Sequence, residues 1–521
     1  MQSNFVHKLL CVTLAFAATA CSAVVAPTET PTPTATPTET LTPTATATLT
    51  QTPSVTPTAT ATPTQTSTPT ITPTASNTPL PSSTPGEVIS FTLDNWEILE
   101  IPFFVEQGFP QPYIAYLNLN DRDAEGGVLT PQPGTEVQTL YYTPPRNPGG
   151  RIEILQVPES TGDHVYVSPN GLAVAYFVEP GEEAPSGLYL VDMASGIRAR
   201  VLPLTTLVQR GFVSEPVWDS AGNRLAITLA TDYATDIFII NRDGSVPQNV
   251  TNSGAYDLFP TFSPDGNFLA FISDRDVCPT WIPEQPDTCD PDTLPPDGGH
   301  LYVLEIATGE ITKLSDTWLT QDNPARWINN RQIAYSEGQP LFGDASRTLW
   351  VADVVSGTAR EVRPPNDANP LMLAESWSPG GSQVIYQRAG AETDIVLSDA
   401  TGNIISTITD FNYPRYGLSA SWAPNGQAIA LGGVNGQCPF GSTVLDETLG
   451  VIARGNPPPA MCTPVYSPDG EFIAFIGISL NNFDGRADVY AANANGFGAL
   501  NLTGDLRGTM TMLRWVSSAI Q

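Results

Sequence analysis

Ten residues, FSPDGNFLAF at 262–271, are written again almost unchanged as YSPDGEFIAF at 466–475. Each reads as a strand, a tight turn and a second strand. Pro sets φ at the first corner of the turn, and Gly takes the corner that needs positive φ. The unit recurs as YVSPNGLAVAYF (166–177), VWDSAGNRLAIT (217–228), RWINNRQIAY (326–335), WSPGGSQVIY (377–386) and WAPNGQAIAL (422–431), making seven copies. Successive turns lie roughly 44 to 64 residues apart. One copy cannot bury its own apolar face, so the copies must stack on each other.

The copies keep their spacing. A bulky residue comes first: Val167, Trp218, Phe262, Trp327, Trp377, Trp422 and Tyr466. Eight residues later comes a small or aliphatic one: Ala175, Ala226, Ala270, Ile385, Ala430 and Ala474. The Trp327 copy is one residue shorter and reaches Ala334, with Asn329-Asn330 as its turn. A slip of one residue would move every side chain to the other face, so the turn must hold the register. Aromatic residues recurring at one repeat position argue for packing between units rather than for stacking on sugars.

A third strand follows most hairpins: LYLVD (188–192), DIFII (236–240), LYVLE (301–305), LWVAD (349–353), DIVLS (394–398) and DVYAA (488–492). A fourth is expected after each, as in ITKL at 311–314. The copy after Trp422 offers only STVLDETLG (442–450). Half-copies stand at the two ends. MLRWVSS (512–518) is a first strand with no second, and PYIAYLNL (112–119) is a second strand with no first. LYYTP (140–144) and RIEILQV (151–157) are candidates for strands three and four beside it. Four strands at this period make one propeller blade. The expectation is an all-β propeller over residues 111–521, with eight four-stranded blades and seven as the alternative. The N- and C-terminal strands would share one blade and close the ring. Residues 86–110 form a lead-in, read as an extra strand pair or a cap.

The strand, the Ser-Pro-Asp-Gly turn, the Ile-Ala-Phe strand and the Leu-Tyr-Val strand with its Thr-Gly turn resemble the repeat of the TolB-like β-propeller family. They also resemble the propeller half of prolyl-oligopeptidase-type enzymes. The resemblance covers roughly residues 110–521. It implies a propeller, and, as a class property, a periplasmic binding platform. The globular N-terminal domain of TolB has no counterpart in the pattern. A Pro/Thr stretch occupies its place.

Residues 1–20 carry Lys8, an apolar run from Leu9 to Ala20 and the small residues Ala18-Thr19-Ala20, the make-up of a secretory signal peptide. The run is too short for a stable bilayer anchor. Cys21 follows directly, and the segment resembles a bacterial lipoprotein signal, which implies lipid attachment at Cys21. Residues 21–85 form a Pro/Thr-rich disordered tether. Its ~60 repetitive residues could reach ~190 Å in polyproline-like form. Six Cys are present. With Cys11 in the signal and Cys21 lipidated, four remain, and export favours two disulfides. Local pairing gives Cys278–Cys289 and Cys438–Cys462.

A net charge of −31 with only 22 Lys and Arg disfavours nucleic acid, which needs cations against its phosphates. The membrane is expected as a partner only through the N-terminal lipid, and a monomer is expected. No G-x-S-x-G elbow occurs, so a peptidase is not expected. His164 and His300 are read as strand-end residues. Asp192, Asp353 and Asp399 are read as turn caps. Asn120 to Gly126 places acids at alternate positions before a Gly, but Gln132 stands where an EF-hand needs an acid. That segment, and the loop with Asp287, Asp290, Asp292 and Asp297, are read as solvated, with no metal and no cofactor. The expectation is an exported, lipid-anchored, non-catalytic binding or scaffold module for a protein or glycan at the cell envelope, at the periplasm or cell surface. Blade loops would make the contact. The alternative is an extracellular carbohydrate-active enzyme with acids at the channel mouth.

Overall fold

The computed structural model describes residues 94–99, 109, 111–119 and 137–158, and then 161–518 apart from short breaks, the longest at 338–347. The signal, Cys21, the tether, most of the lead-in and the Asn120–Gly126 segment lie outside the described residues.

β1 (Asp94–Ile98) comes from the lead-in. β2 (Tyr113–Leu119), β3 (Val137–Thr143) and β4 (Ile152–Pro158) form an antiparallel meander. The next is β5 (Val165–Val167), β6 (Ala173–Val178), β7 (Gly187–Asp192) and β8 (Ile197–Pro203), and β1 pairs with its outer edge. A helical turn, α1 (Leu204–Leu207), leads to β9 (Val217–Trp218), β10 (Arg224–Thr231), β11 (Ala234–Asn241) and β12 (Gln248–Asn249). β13 (Asp257–Phe262), β14 (Phe268–Ser273), β15 (Gly298–Glu305) and β16 (Glu310–Lys313) follow, with β17 (Leu319–Thr320) pairing to the start of β15. Then come β18 (Arg326–Trp327), β19 (Gln332–Glu337), β20 (Thr348–Asp353) and β21 (Thr358–Val362), and β22 (Met372–Trp377), β23 (Gln383–Arg388), β24 (Asp394–Asp399) and β25 (Ile404–Ile408). β26 (Leu418–Trp422), β27 (Ala428–Gly433), β28 (Thr443–Asp446) and β29 (Val451–Arg454) make a full meander, although the sequence after Trp422 offered little. One parallel bridge, Gly433 to Cys462, joins it to β30 (Ala460–Tyr466), β31 (Phe472–Ile478), β32 (Ala487–Asn493) and β33 (Leu500–Asn501). The last strand, β34 (Thr509–Val516), returns to β2, where Trp515 pairs with Ile114 and Arg514 with Ala115. The fold is all-β. The described part of the lead-in is one added edge strand rather than a strand pair.

The Ser-Pro-Asp-Gly turn is held by its own side chains. Ser263 Oγ accepts from Phe268 N–H at 2.9 Å and donates to Asp265 at 2.6 Å. Gly266 takes φ 69°. Ser467, Asp469 and Gly470 repeat this before Phe472. The turn therefore fixes where β14 and β31 begin, and with that which face each side chain takes.

The core is a series of separate apolar clusters, each shared by two meanders that follow each other in the chain. A further cluster joins the last meander to the sheet of β2 and β34, through Ala474, Val489, Ile114 and Trp515. Indoles add a polar tie. Trp218, Trp327, Trp422 and Trp515 each donate Nε1–H to a carbonyl of the preceding meander, at Tyr166, Thr261, Ser376 and Val465, over 2.8–3.0 Å. Each acceptor stands one residue before the matching bulky position. A buried indole N–H without an acceptor would cost about 1–3 kcal/mol. The first-strand aromatics thus pack between meanders.

Candidate functional site

A polar group lies where β14 ends and β15 begins. Asp274, Arg275 and Asp276 follow the last residue of β14. The chain then runs through the Cys278–Cys289 disulfide and returns as β15 with His300 opposite Ser273. Antiparallel pairing therefore sets His300 beside Asp276. His300 Nδ1 lies 2.8 Å from both oxygens of Asp276. Lys313, at the end of β16, donates to Asp276 at 2.5 Å and to Asp316 at 2.6 Å. Burial pushes the Asp276 carboxyl up, but the hydrogen bonds from Lys313 and His300 outweigh this and hold it at about 2. Burial lowers Lys313, and its bonds to Asp276 and Asp316 raise it further than that. Trp318, exposed, sets its ring 5.2 Å from His300, edge to face. The result is a surface patch of paired charges and one exposed indole, with His300 and Lys313 on strands and Asp276, Asp316 and Trp318 in the connections beside them.

Beneath it three carboxylates are buried together: Asp236 on β11, Asp257 at the start of β13, and Asp274. Arg275 pairs with Asp257 at 2.7 Å and lies 5.2 Å from the ring centres of Phe271 and Tyr302. Ser253 donates N–H to Asp236 and Oγ–H to Asp257. Asp274 accepts from Tyr256 N–H at 2.8 Å and from Trp281 Nε1–H at 2.9 Å. Burial, reinforced by the Asp257 charge, pushes Asp236 up to about 6. Burial likewise takes Asp274 to about 6. Trp281 belongs to the disulfide loop, so Asp274 pins that loop to the sheet. Among the described residues, no group of three or more His, Cys, Asp or Glu is placed to hold a metal ion.

Both disulfides pair as the spacing suggested. Cys278 and Cys289 have Cα atoms 5.8 Å apart, and Cys438 and Cys462 5.2 Å. The second ties the residues after β27 to β30. Asp192, Asp353 and Asp399 cap turns, accepting from the N–H groups of Ser195, Ser356 and Thr401. Asp192 also meets Arg242 at 3.2 Å. His164 stands apart from the patch, 3.2 Å from the Tyr166 hydroxyl. Asp287 and Asp290 are exposed, while Asp292 and Asp297 lie outside the described residues. Sequence reading missed the Asp276–His300–Lys313 group, because its members are brought together only by pairing across β14, β15 and β16. The visible signal was charge clustered at the ends of adjacent strands.

Residues 161–282 match the family model described as TolB beta propeller domain. A TolB homologue of Chlorobium luteolum is 33% identical over 127 residues, which is 24% of this chain and 27% of the relative. A second, of Chlorobium chlorochromatii, is 31% identical over 109 residues, 21% of this chain and 23% of the relative. This chain thus spans about a quarter of the curated relatives it matches. TolB of Acinetobacter baumannii aligns with a TM-score of 0.32 and 17% identity, over 57% of this chain and 62% of that one. The family model and the two TolB homologues support a TolB-like propeller fold. Among the described residues no helix is long and apolar enough to cross a membrane.

Proposed function

We propose that this chain is an exported, lipid-anchored β-propeller that carries a non-catalytic binding platform for a protein or glycan of the cell envelope. The reading takes eight four-stranded blades, the first built from β34, β2, β3 and β4. It is supported by the succession of core clusters that runs from meander to meander and ends on that sheet. Cys21 would hold the lipid, and residues 21–85 would hold the platform away from the membrane.

The observation that carries the binding role is the patch at Asp276, His300, Lys313 and Trp318. Its side chains hold each other in place through ion pairs and a ring contact. Binding there orders few side chains of the protein anew, which favours recognition. The test is binding of the purified full chain to a panel of envelope glycans and envelope proteins. Lys313→Ala and Trp318→Ala should each weaken the bound partner about tenfold, about 1.4 kcal/mol. A partner bound equally by both variants would place recognition elsewhere. Metabolic lipid labelling of wild type and Cys21→Ala tests the anchor. An unlabelled wild type rejects it.

A further inference from the structure

Open sheet edges attract other strands, and proteins guard them with short edges, charges or a covering segment. Most outer strands here are guarded. β1 covers β8. β12 and β33 are two residues each. β16 carries Glu310 and Lys313, and β21 carries Arg360 and Glu361. β4 has Ile154, Leu155 and Val157 buried. β25 and β29 differ. Each ends its sheet among the described residues. Ile404 and Ile405 on β25 are 42% and 46% exposed, and Val451 and Ile452 on β29 are 51% and 48% exposed. Their meanders are neighbours that share one core cluster, with Ile385 and Leu397 on one side and Leu431 and Leu445 on the other.

Charge and precedent say what fits there. Asp399 precedes β25, and Asp446 and Glu447 precede β29. The whole chain has a net charge of −31, which opposes a second copy. β1 on β8 shows how an outer edge of this protein takes a strand. It lies antiparallel, with Glu97 opposite Arg198 and the two paired as ions. We propose that the β25 and β29 edges are docking surfaces for extended, basic segments of a partner protein, each added as an outer strand. Backbone pairing would supply the affinity, Ile404, Ile405, Val451 and Ile452 the apolar contact, and the preceding carboxylates the preference for cations. This surface is separate from the patch at Asp276 and does not depend on it.

The test uses the full chain and a labelled alternating peptide, Lys-Val-Lys-Val-Thr-Val-Lys-Val, with its Glu-for-Lys counterpart. Fluorescence anisotropy should show the basic peptide binding at least tenfold more tightly than the acidic one. Amide exchange should slow at 404–408 and 451–454. Ile405→Lys with Ile452→Lys, both exposed sites, should weaken binding at least tenfold, while Lys313→Ala should leave it unchanged. Equal binding by the double variant, or protection elsewhere or nowhere in wild type, overturns the proposal. So does a wild-type dimer in sedimentation that the double variant dissociates, which would make the occupant a second copy.

Discussion

Asp236 and Asp488 occupy matching places in two distant meanders, near the start of β11 and of β32. Each is followed by an Asn-x-Thr that begins on the last residue of the fourth strand, Asn249-Val250-Thr251 and Asn501-Leu502-Thr503. The local bonding is the same. Asn249 and Asn501 each donate to the carboxylate at 2.9 Å, and Thr251 and Thr503 donate to its other oxygen at 3.3 and 2.9 Å. The second neighbour differs. Asp488 has Arg486 at 3.0 Å, whereas Asp236 has the acid Asp257 beside it. One motif therefore holds a matched ion pair in one meander and a crowded carboxylate in the other. Local sequence sets the hydrogen bonds, and the packed neighbour sets the electrostatics.

The largest expected effect separates the two sites. Asp488→Ala leaves a mostly buried Arg486 without its carboxylate, and should cost about 3–5 kcal/mol. Asp236→Ala loses similar hydrogen bonds but relieves the charge crowding, and should cost about 1 kcal/mol. Urea unfolding of both variants at pH 7 checks this, and equal losses would break the contrast.

Next comes pH. Asp236 and Asp274 stand at about 6 in the folded chain, above the ordinary 3.8. The folded state thus binds more protons than the unfolded one between about pH 4 and 6. Their stabilising contribution is full below about pH 4 and is lost as pH rises through about 6, by up to ~3 kcal/mol each. Relative to the Asp236→Asn, Asp274→Asn double variant, wild type should therefore lose melting temperature from pH 5 to pH 7. Parallel curves would exclude these two groups as the source.

Smaller still, Thr251→Val and Thr503→Val each remove two hydrogen bonds of the shared motif, one accepted from the N–H of Ile237 or Val489 and one donated to the carboxylate, and both should cost about 2 kcal/mol. Unequal losses would show that the motif itself differs. The smallest effect is at Trp281. Trp281→Phe removes an N–H donor from Asp274 and should move that carboxyl slightly further up. Carbon-13 NMR of the carboxyl groups reads it.

The hairpins were legible because a turn such as Ser263 to Gly266 is closed by its own residues, and because Trp218 or Trp422 recurs at a fixed offset. The disulfides were legible from close spacing once Cys11 and Cys21 were set aside and export was expected. β29 was not, since an outer strand half exposed to water carries little pattern. The lead-in was ambiguous because β1 earns its place only from the free edge of β8. The Asn-x-Thr motif stood in the sequence unnoticed, and two copies after a third-strand Asp were the available signal. The group at Asp276 left only charge clustered at strand ends, since His300 is 24 residues away.

By itself the sequence determined the repeating unit: turn, strand register, inward aromatics and cysteine pairs. Turn and register depend on residues within one hairpin, where short-range sterics and hydrogen bonds suffice, while the aromatics and cysteines show through their spacing in the chain. Only the tertiary structure decided which acids were crowded, which cations met them and which strands end their sheets among the described residues. Those properties depend on through-space neighbours that packing brings together from separate strands, and Coulomb energy and burial follow distance in space rather than in the chain.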